Sequence, residues 1–313
     1  MLAFTSPRGA GHPGLAGYQP RWCLTGPSGS AVRDAAWSTV DRGQELISYY
    51  ARWYLPDRAA RQCLRATGRR DNAPLMDRHA DRDDPSTRRM ELAALTAEIV
   101  DCFRCPRLVA WRELVARERV ARHRDEVYWG RPVPGFGDPD ARVLIVALAP
   151  AAHGGNRTGR VFTGDRSGDF LWPALHATGM ADRPVSQRAD DGLTLHDAYI
   201  AAAVRCAPPL NRPTVEERDT CAPYLVRELA LLDRVRVIVP LGQIGWDAAL
   251  RTVASLGHVA RPRPRFGHGA EARVGPYAFV GSYHPSQQNT FTGRLTPPML
   301  QAVFARAREL ADG

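Results

Sequence analysis

The sequence predicts an α/β protein: a three-layer α/β/α sandwich around a central, mainly four-stranded parallel sheet. Three observations predict it. Four short apolar runs read as strands buried on both faces. Helical stretches separate these runs, and strand–helix alternation implies a parallel sheet with helices on both sides. At 313 residues, 44% of them hydrophobic, the chain can build one sizeable domain of this kind plus an extension.

The elements follow in order. The domain is expected to span residues 88–313 and to open with a helix near Arg88, where Leu92, Leu95, Ile99 and Val100 form an apolar stripe. That helix leads into Asp101-Cys102-Phe103-Arg104-Cys105-Pro106, and a second helix is expected from Leu108 to Arg122. The strands are Val143 to Leu148, Ala198 to Val204, Val235 to Pro240, and Tyr277 to Gly281. Helices are expected between them at Phe170 to Thr178, Val215 to Leu232, and Gly245 to Leu256. In such a fold ligands bind beyond the carboxyl ends of the strands. The segments just after each run are also the richest in Gly, Pro and polar residues.

Residues 1–87 read differently. Gly, Pro and Ser are dense up to Ser30, and arginine and aspartate crowd together from Arg52 to Arg89. A stretch of that composition buries little, so a disordered extension is expected. One short helix is expected inside it, over Ala35 to Leu55, where Trp37, Leu46, Tyr49, Tyr50 and Trp53 recur at roughly helical spacing. No chemistry is read here. Met76 and Met90 stand close to the start of the recognisable domain, so an overextended reading frame is a second reading of this stretch.

The net charge is +9, with a pI near 9.7. That favours an anionic partner, or a basic surface kept for solubility. All 42 basic residues are arginine, which suits bidentate phosphate contacts and equally a GC-rich genome. Either way, no lysine is available to form a Schiff base. No apolar run approaches the roughly 20 residues of a membrane span, and the first residues lack the pattern of a signal peptide. The chain therefore reads as cytoplasmic, where cysteines do not form a disulfide framework. Cys23 and Cys63 stand alone, Cys102 and Cys105 form a C-x2-C, and Cys206 and Cys221 lie far downstream.

The chemistry concentrates after the strands. After the first comes Ala149-Pro150-Ala151-Ala152-His153-Gly154-Gly155-Asn156-Arg157-Thr158-Gly159-Arg160-Val161-Phe162-Thr163-Gly164-Asp165. Its glycines let backbone approach a ligand closely, yet it matches neither the P-loop nor G-x-G-x-x-G. After the second comes Arg205-Cys206-Ala207-Pro208-Pro209-Leu210-Asn211-Arg212-Pro213, and after the fourth Ser282-Tyr283-His284-Pro285-Ser286-Gln287-Gln288-Asn289. Each is weak alone, and a single histidine such as His284 is as readily structural.

Together and in this order, these motifs resemble the family 4 and 5 uracil-DNA glycosylases, most closely the type B (family 5) branch. The resemblance runs from about Arg88 to the C-terminus. Where family 4 carries an acidic Gly-Glu-Ala-Pro-Gly, this chain has Ala147-Leu148-Ala149-Pro150-Ala151, so Leu148 stands in place of the acid. The nearest replacement is Asp165, with Asp169 the competitor, read as capping or solvated.

The resemblance implies a [4Fe–4S] cluster held by Cys102, Cys105, Cys206 and Cys221. Four thiolates can enclose such a cluster; a four-cysteine zinc site is the alternative that spacing leaves open. It implies DNA as partner, uracil and other deaminated bases such as hypoxanthine as substrates, and action as a monomer. Phe162 is expected to stack on the flipped base, with Ala151 and Ala152 lining its pocket. His284 is expected to donate to the uracil oxyanion, and Asp165 to position water or stabilise the sugar cation. Asn211 reads the base edge or caps the following helix. Arg157, Arg160, Arg205, Arg212 and Arg294 are expected as phosphate contacts, and Phe291 as a wedge or a plain surface residue. An iron–sulfur carrier and a non-catalytic DNA-binding module are the rival classes.

Overall fold

The computed structural model describes residues 84–313. The expected extension lies outside them up to residue 83, as does the helix expected over Ala35 to Leu55. Residues 84–87 already belong to the domain, because Asp84 caps the first helix, α1 (Pro85–Val100), by accepting from Ser86 N.

Helix α2 (Pro106–Glu118) stops short of Arg122, since Arg119 turns to φ 55 and a 3-10 turn, Ala121–His123, follows. The sheet then builds from β1 (Phe136–Gly137), β2 (Val143–Ala147), β3 (Ala198–Ala202), β4 (Val237–Pro240), β5 (Glu271–Val274) and β6 (Tyr277–Val280). Its order is β1-β3-β2-β4-β6-β5. The inner four pair in parallel, and β1 and β5 add antiparallel edges. Those two edge strands are additions to the four expected.

The parallel strands are continuously apolar because both faces are covered. On one face Val143, Ile145, Ile200 and Val239 pack with Leu171, Trp172 and Leu175 of α4 (Arg166–Ala177) and with Leu300, Val303 and Phe304 of α8 (Pro297–Asp312). On the other, Leu144, Val146, Tyr199, Ile238 and Phe279 pack with Leu225 and Leu229 of α5 (Val215–Leu231) and with Trp246, Ala249 and Val253 of α6 (Gly242–Ser255). Successive strand residues thus feed opposite layers, the period-2 alternation of a pleated strand. A third cluster joins Leu95 and Ile99 of α1 and Leu108 of α2 to Val204, Cys206, Cys221 and Tyr224. It docks the N-terminal helices against the end of the sheet. The short helices α3 (Gly155–Thr158) and α7 (Gln287–Phe291) sit in the segments that follow β2 and β6. No helix among the described residues is long and apolar enough to cross a membrane.

Candidate active site

The loops at the carboxyl ends of β2 and β6 bring Phe162 and His284 together, and Asp165 ends the same β2 loop that carries Phe162. A parallel bridge, Leu241 to Ser282, continues the β4–β6 pairing past the strands and delivers His284 beside Gly242. Gly242, at φ +82, faces His284 Cβ 3.2 Å from where its own Cβ would stand. The Phe162 and His284 rings lie 5.9 Å apart, tilted by 37°.

Phe162 holds a left-handed backbone, φ 52, unusual for a bulky residue. Trp172 Nε1 donates to its carbonyl at 2.6 Å, and a Cβ on Gly168 would stand 1.9 Å from the same oxygen. The strained backbone at Phe162 is therefore held from behind by α4.

Asp165 is the N-cap of α4, accepting from Gly168 N at 2.9 Å. Burial raises its carboxyl above the usual range, against the lowering by the Gly168 and Ser167 amides. Gly154 stands directly against it: a Cβ there would lie 2.0 Å from Oδ2. Asp169, the competing acid, is exposed in the first turn of the same helix. Burial pushes the His284 imidazole down to about 4, so at neutral pH it is an uncharged donor. Ala151 and Ala152 are half-buried in the same β2 loop, where the Ala151 carbonyl accepts from Gly154 N and Asn156 N.

Asn211 stands exposed in the loop after β3, at φ 55. It does not cap α5. Thr214 does, in a capping box with Glu217, a Thr-x-x-Glu signal legible in the sequence. Its neighbour Leu210 is 86% exposed at φ 53, an apolar residue that sequence reasoning passed over. Phe291, the expected wedge, is 74% exposed.

Three of the expected phosphate contacts are corrected. Arg160 has no exposed surface; its guanidinium donates to Thr163, Ser186, Asp191 and the Ala189 and Arg188 carbonyls. Arg205 is equally buried in an ion pair with Glu228. Arg157 binds Glu126 and donates to the His153 and Gly164 carbonyls, each at 2.9 Å. These arginines knit the loop instead of facing solvent. Arg212 and Arg294 are exposed, Arg294 lying over the Tyr283 ring at 4.4 Å. Arg117, Arg122 and Arg124 are exposed as well, near the end of α2, and were missed because no motif marks them.

The four expected ligands line one cavity with Leu108, Pro132, Arg205 and Tyr224. Cys102 follows α1, Cys105 precedes α2, Cys206 follows β3 and Cys221 lies in α5. None is in a disulfide. No three His, Cys, Asp or Glu side chains among the described residues converge at single-ion spacing. Burial pushes the Cys206 thiol up to about 11 and the Cys221 thiol to about 12, and raises Cys105. Arg112 Nη1 donates to Cys206 Sγ at 3.1 Å, while its buried Nε and Nη2 have no hydrogen-bond partner. Four thiols around one cavity, beside a buried guanidinium with two nitrogens lacking hydrogen-bond partners, fit an anionic metal–thiolate group.

Residues 134–308 match the family model described as the Uracil DNA glycosylase superfamily. The chain is 53% identical over 222 residues to the type-5 uracil-DNA glycosylase of Mycobacterium tuberculosis, covering 70% of this chain and 82% of that protein. It is 51% identical to the type-5 enzyme of Thermus thermophilus over 71% of this chain and 99% of that one. The corresponding protein of Pyrobaculum aerophilum is 46% identical over 67% and 88%. By its loops, its sheet and its relatives, this chain belongs to the uracil-DNA glycosylase superfamily.

Proposed function

We propose that this protein is a monofunctional DNA-repair glycosylase that hydrolyses the N-glycosidic bond of uracil, and of deaminated bases such as hypoxanthine, leaving an abasic site. The observation that carries it is the meeting of the Phe162 and His284 rings, 5.9 Å apart, in the loops after two parallel strands, with the buried carboxyl of Asp165 in the Phe162 loop. A target base must leave the stack to be reached. The Phe162 ring, its backbone held by α4, offers a stacking surface. Breaking the bond develops positive charge on the sugar and negative charge on the departing base, so groups aimed at both ends matter most. The neutral His284 donates to the base oxygen without itself carrying charge. The Asp165 carboxylate orients water or faces the sugar cation. Ala151 and Ala152 line the base pocket. Ala202 and Ala203, at the end of β3, carry no polar side chain to read the base, which suits loose base selection, and Asn211 reads its edge. Arg212 and Arg294 meet phosphates.

The four cysteines would hold a [4Fe–4S] cluster that ties α1 and α2 to the sheet. Such a group supplies structural cross-linking here, and Phe162, Asp165 and His284 lie in other loops.

The test is purified protein against oligonucleotides containing uracil, hypoxanthine or ethenocytosine, each single- and double-stranded. Excision of uracil and hypoxanthine, with alkali-labile product, is expected. Binding without excision would favour the non-catalytic module.

A further inference from the structure

Three arginines of the described residues are wholly buried: Arg112, Arg160 and Arg205. A guanidinium stays charged at any ordinary pH, so each needs a compensating anion. Arg160 has Asp191 and Arg205 has Glu228. Arg112 has no such carboxylate in hydrogen-bonding range. The nearest, Glu113 Oε1, stands 4.0 Å from Nη2 on a half-exposed side chain. Its Nη1 donates instead to Cys206 Sγ and to the Cys102 carbonyl, both at 3.1 Å. Its plane lies over the Phe103 ring at 4.9 Å, and Nε and Nη2 find no acceptor. A leucine or methionine would fill the same space on α2 without that cost. The arginine therefore answers a charge.

We propose that Arg112 is the counter-charge of the four-cysteine centre: its buried guanidinium offsets the negative charge of the ligated thiolates, and so governs how long the centre keeps its metal and at what potential it is reduced. The proposal rests on reading the cavity as a metal–sulfur site. The same residue also touches the excision loop, because its carbonyl accepts Asn156 Nδ2 at 3.1 Å. Asn156 thus serves as a control that breaks a neighbouring contact and leaves the guanidinium in place.

The experiment compares wild type, Arg112→Met, Arg112→Lys and Asn156→Ala, all purified anaerobically as full chains. Iron per chain, the rate of iron release to a ferrous chelator, and the reduction midpoint are measured, with thermal melts as the fold control. Arg112→Met is expected to release iron about 10–100-fold faster, the usual effect of removing a partner just outside a metal's ligands. Its midpoint should move negative, since reduction adds an electron that no cation then offsets. Arg112→Lys keeps the charge, so its release stays closer to wild type than that of Arg112→Met and its midpoint stays near wild type. Asn156→Ala should leave both readings unchanged. Should Arg112→Met fail to fold, the uncharged Arg112→Gln takes its place, and release and midpoint equal to wild type in it overturn the proposal. Equal release rates and midpoints for Arg112→Met and wild type also overturn it. A wild type that carries no iron overturns the underlying cluster reading instead, and that is seen before any variant is made.

Discussion

Replacing Asp165 by asparagine separates the charge of this side chain from its place as a helix cap. Asparagine and aspartate are comparable N-caps, so Asp165→Asn keeps a side-chain oxygen for Gly168 N at 2.9 Å. Asp165→Ala loses the cap as well, which costs about 1 kcal/mol. In a domain of this size that lowers Tm by roughly 2–4 °C. The sign of the pH effect follows from burial. The folded carboxyl titrates above its ordinary value, so the folded state binds more protons than the unfolded chain across that window. Stability due to Asp165 is therefore lost as pH rises through the window, and Asp165→Asn should melt no lower than wild type at pH 8. Excision should nevertheless fall by about a hundredfold or more in both variants, the scale of removing one electrostatic group from such a site. The wild-type rate should rise with pH through the raised carboxyl value, and that limb should vanish in Asp165→Asn. Single-turnover excision on a uracil oligonucleotide, run beside thermal melts from pH 4 to 9, reads every part of this. Near-wild-type excision by Asp165→Asn alongside a dead Asp169→Asn would refute the reasoning.

His284→Ala should slow excision by about a hundredfold or more with little change in DNA binding. Because the buried imidazole is pushed down to about 4, wild-type stability should drop as pH falls below the ordinary histidine range, and His284→Asn should flatten that drop in urea titrations. Anaerobically purified protein should be brown, with about four irons per chain; Cys206→Ser or Cys221→Ser should abolish the colour, whereas a colourless protein with one zinc contradicts the cluster. Arg212→Ala and Arg294→Ala should each reduce the salt slope of DNA binding by about 1. Arg160→Ala should instead destabilise the fold by roughly 3–5 kcal/mol, because it strips a buried pair; melts and salt titrations separate the two behaviours.

The legible part of this molecule is what local pattern writes. Strands β2, β3, β4 and β6 are covered on both faces, so each spells a continuous apolar run that gives its position away. Strand β5 has one buried residue in four and β1 has only two residues, so neither leaves a pattern above background. Helix α8 went unread although Leu300, Val303, Phe304, Ala307 and Ala311 carry its stripe. Phe162, Asp165 and His284 were named because the loops containing them are themselves motifs. The fate of the arginines was not legible in the same way. Arg160 and Arg157 sit in the most distinctive loop of the chain, which made them look like phosphate ligands. Their anions, Asp191 and Glu126, lie 31 residues away on either side. Whether an arginine faces DNA or a carboxylate is decided by such non-local partners. Asp165 shows a milder form of the problem: an acid ahead of a helix reads as a cap or as a catalyst, and the cap on Gly168 N leaves its second oxygen packed against Gly154 in the same loop.

What the enzyme cannot do follows from composition as much as from the site. Glycosylases that also cut the strand commonly attack the sugar C1′ with an amine, and the resulting Schiff base permits β-elimination. The usual amine is lysine, and all 42 basic residues here are arginine. A guanidinium does not substitute, because it stays protonated. The residues gathered at the candidate site offer a carboxylate, an imidazole and an aromatic ring, none of which forms an imine. The N-terminal α-amine, the one remaining candidate, is moved by shortening the chain; otherwise water is the nucleophile of the proposed reaction, with Asp165 the group proposed to orient it. Excision should therefore give an intact abasic strand that breaks only after alkali or heat. Borohydride added during turnover on uracil-containing DNA should trap no covalent adduct, on full-length protein and on a chain shortened to residues 84–313 alike. A trapped species that survives the shortening would show covalent attack on C1′ by a group of the domain itself, and the monofunctional assignment would fall with it.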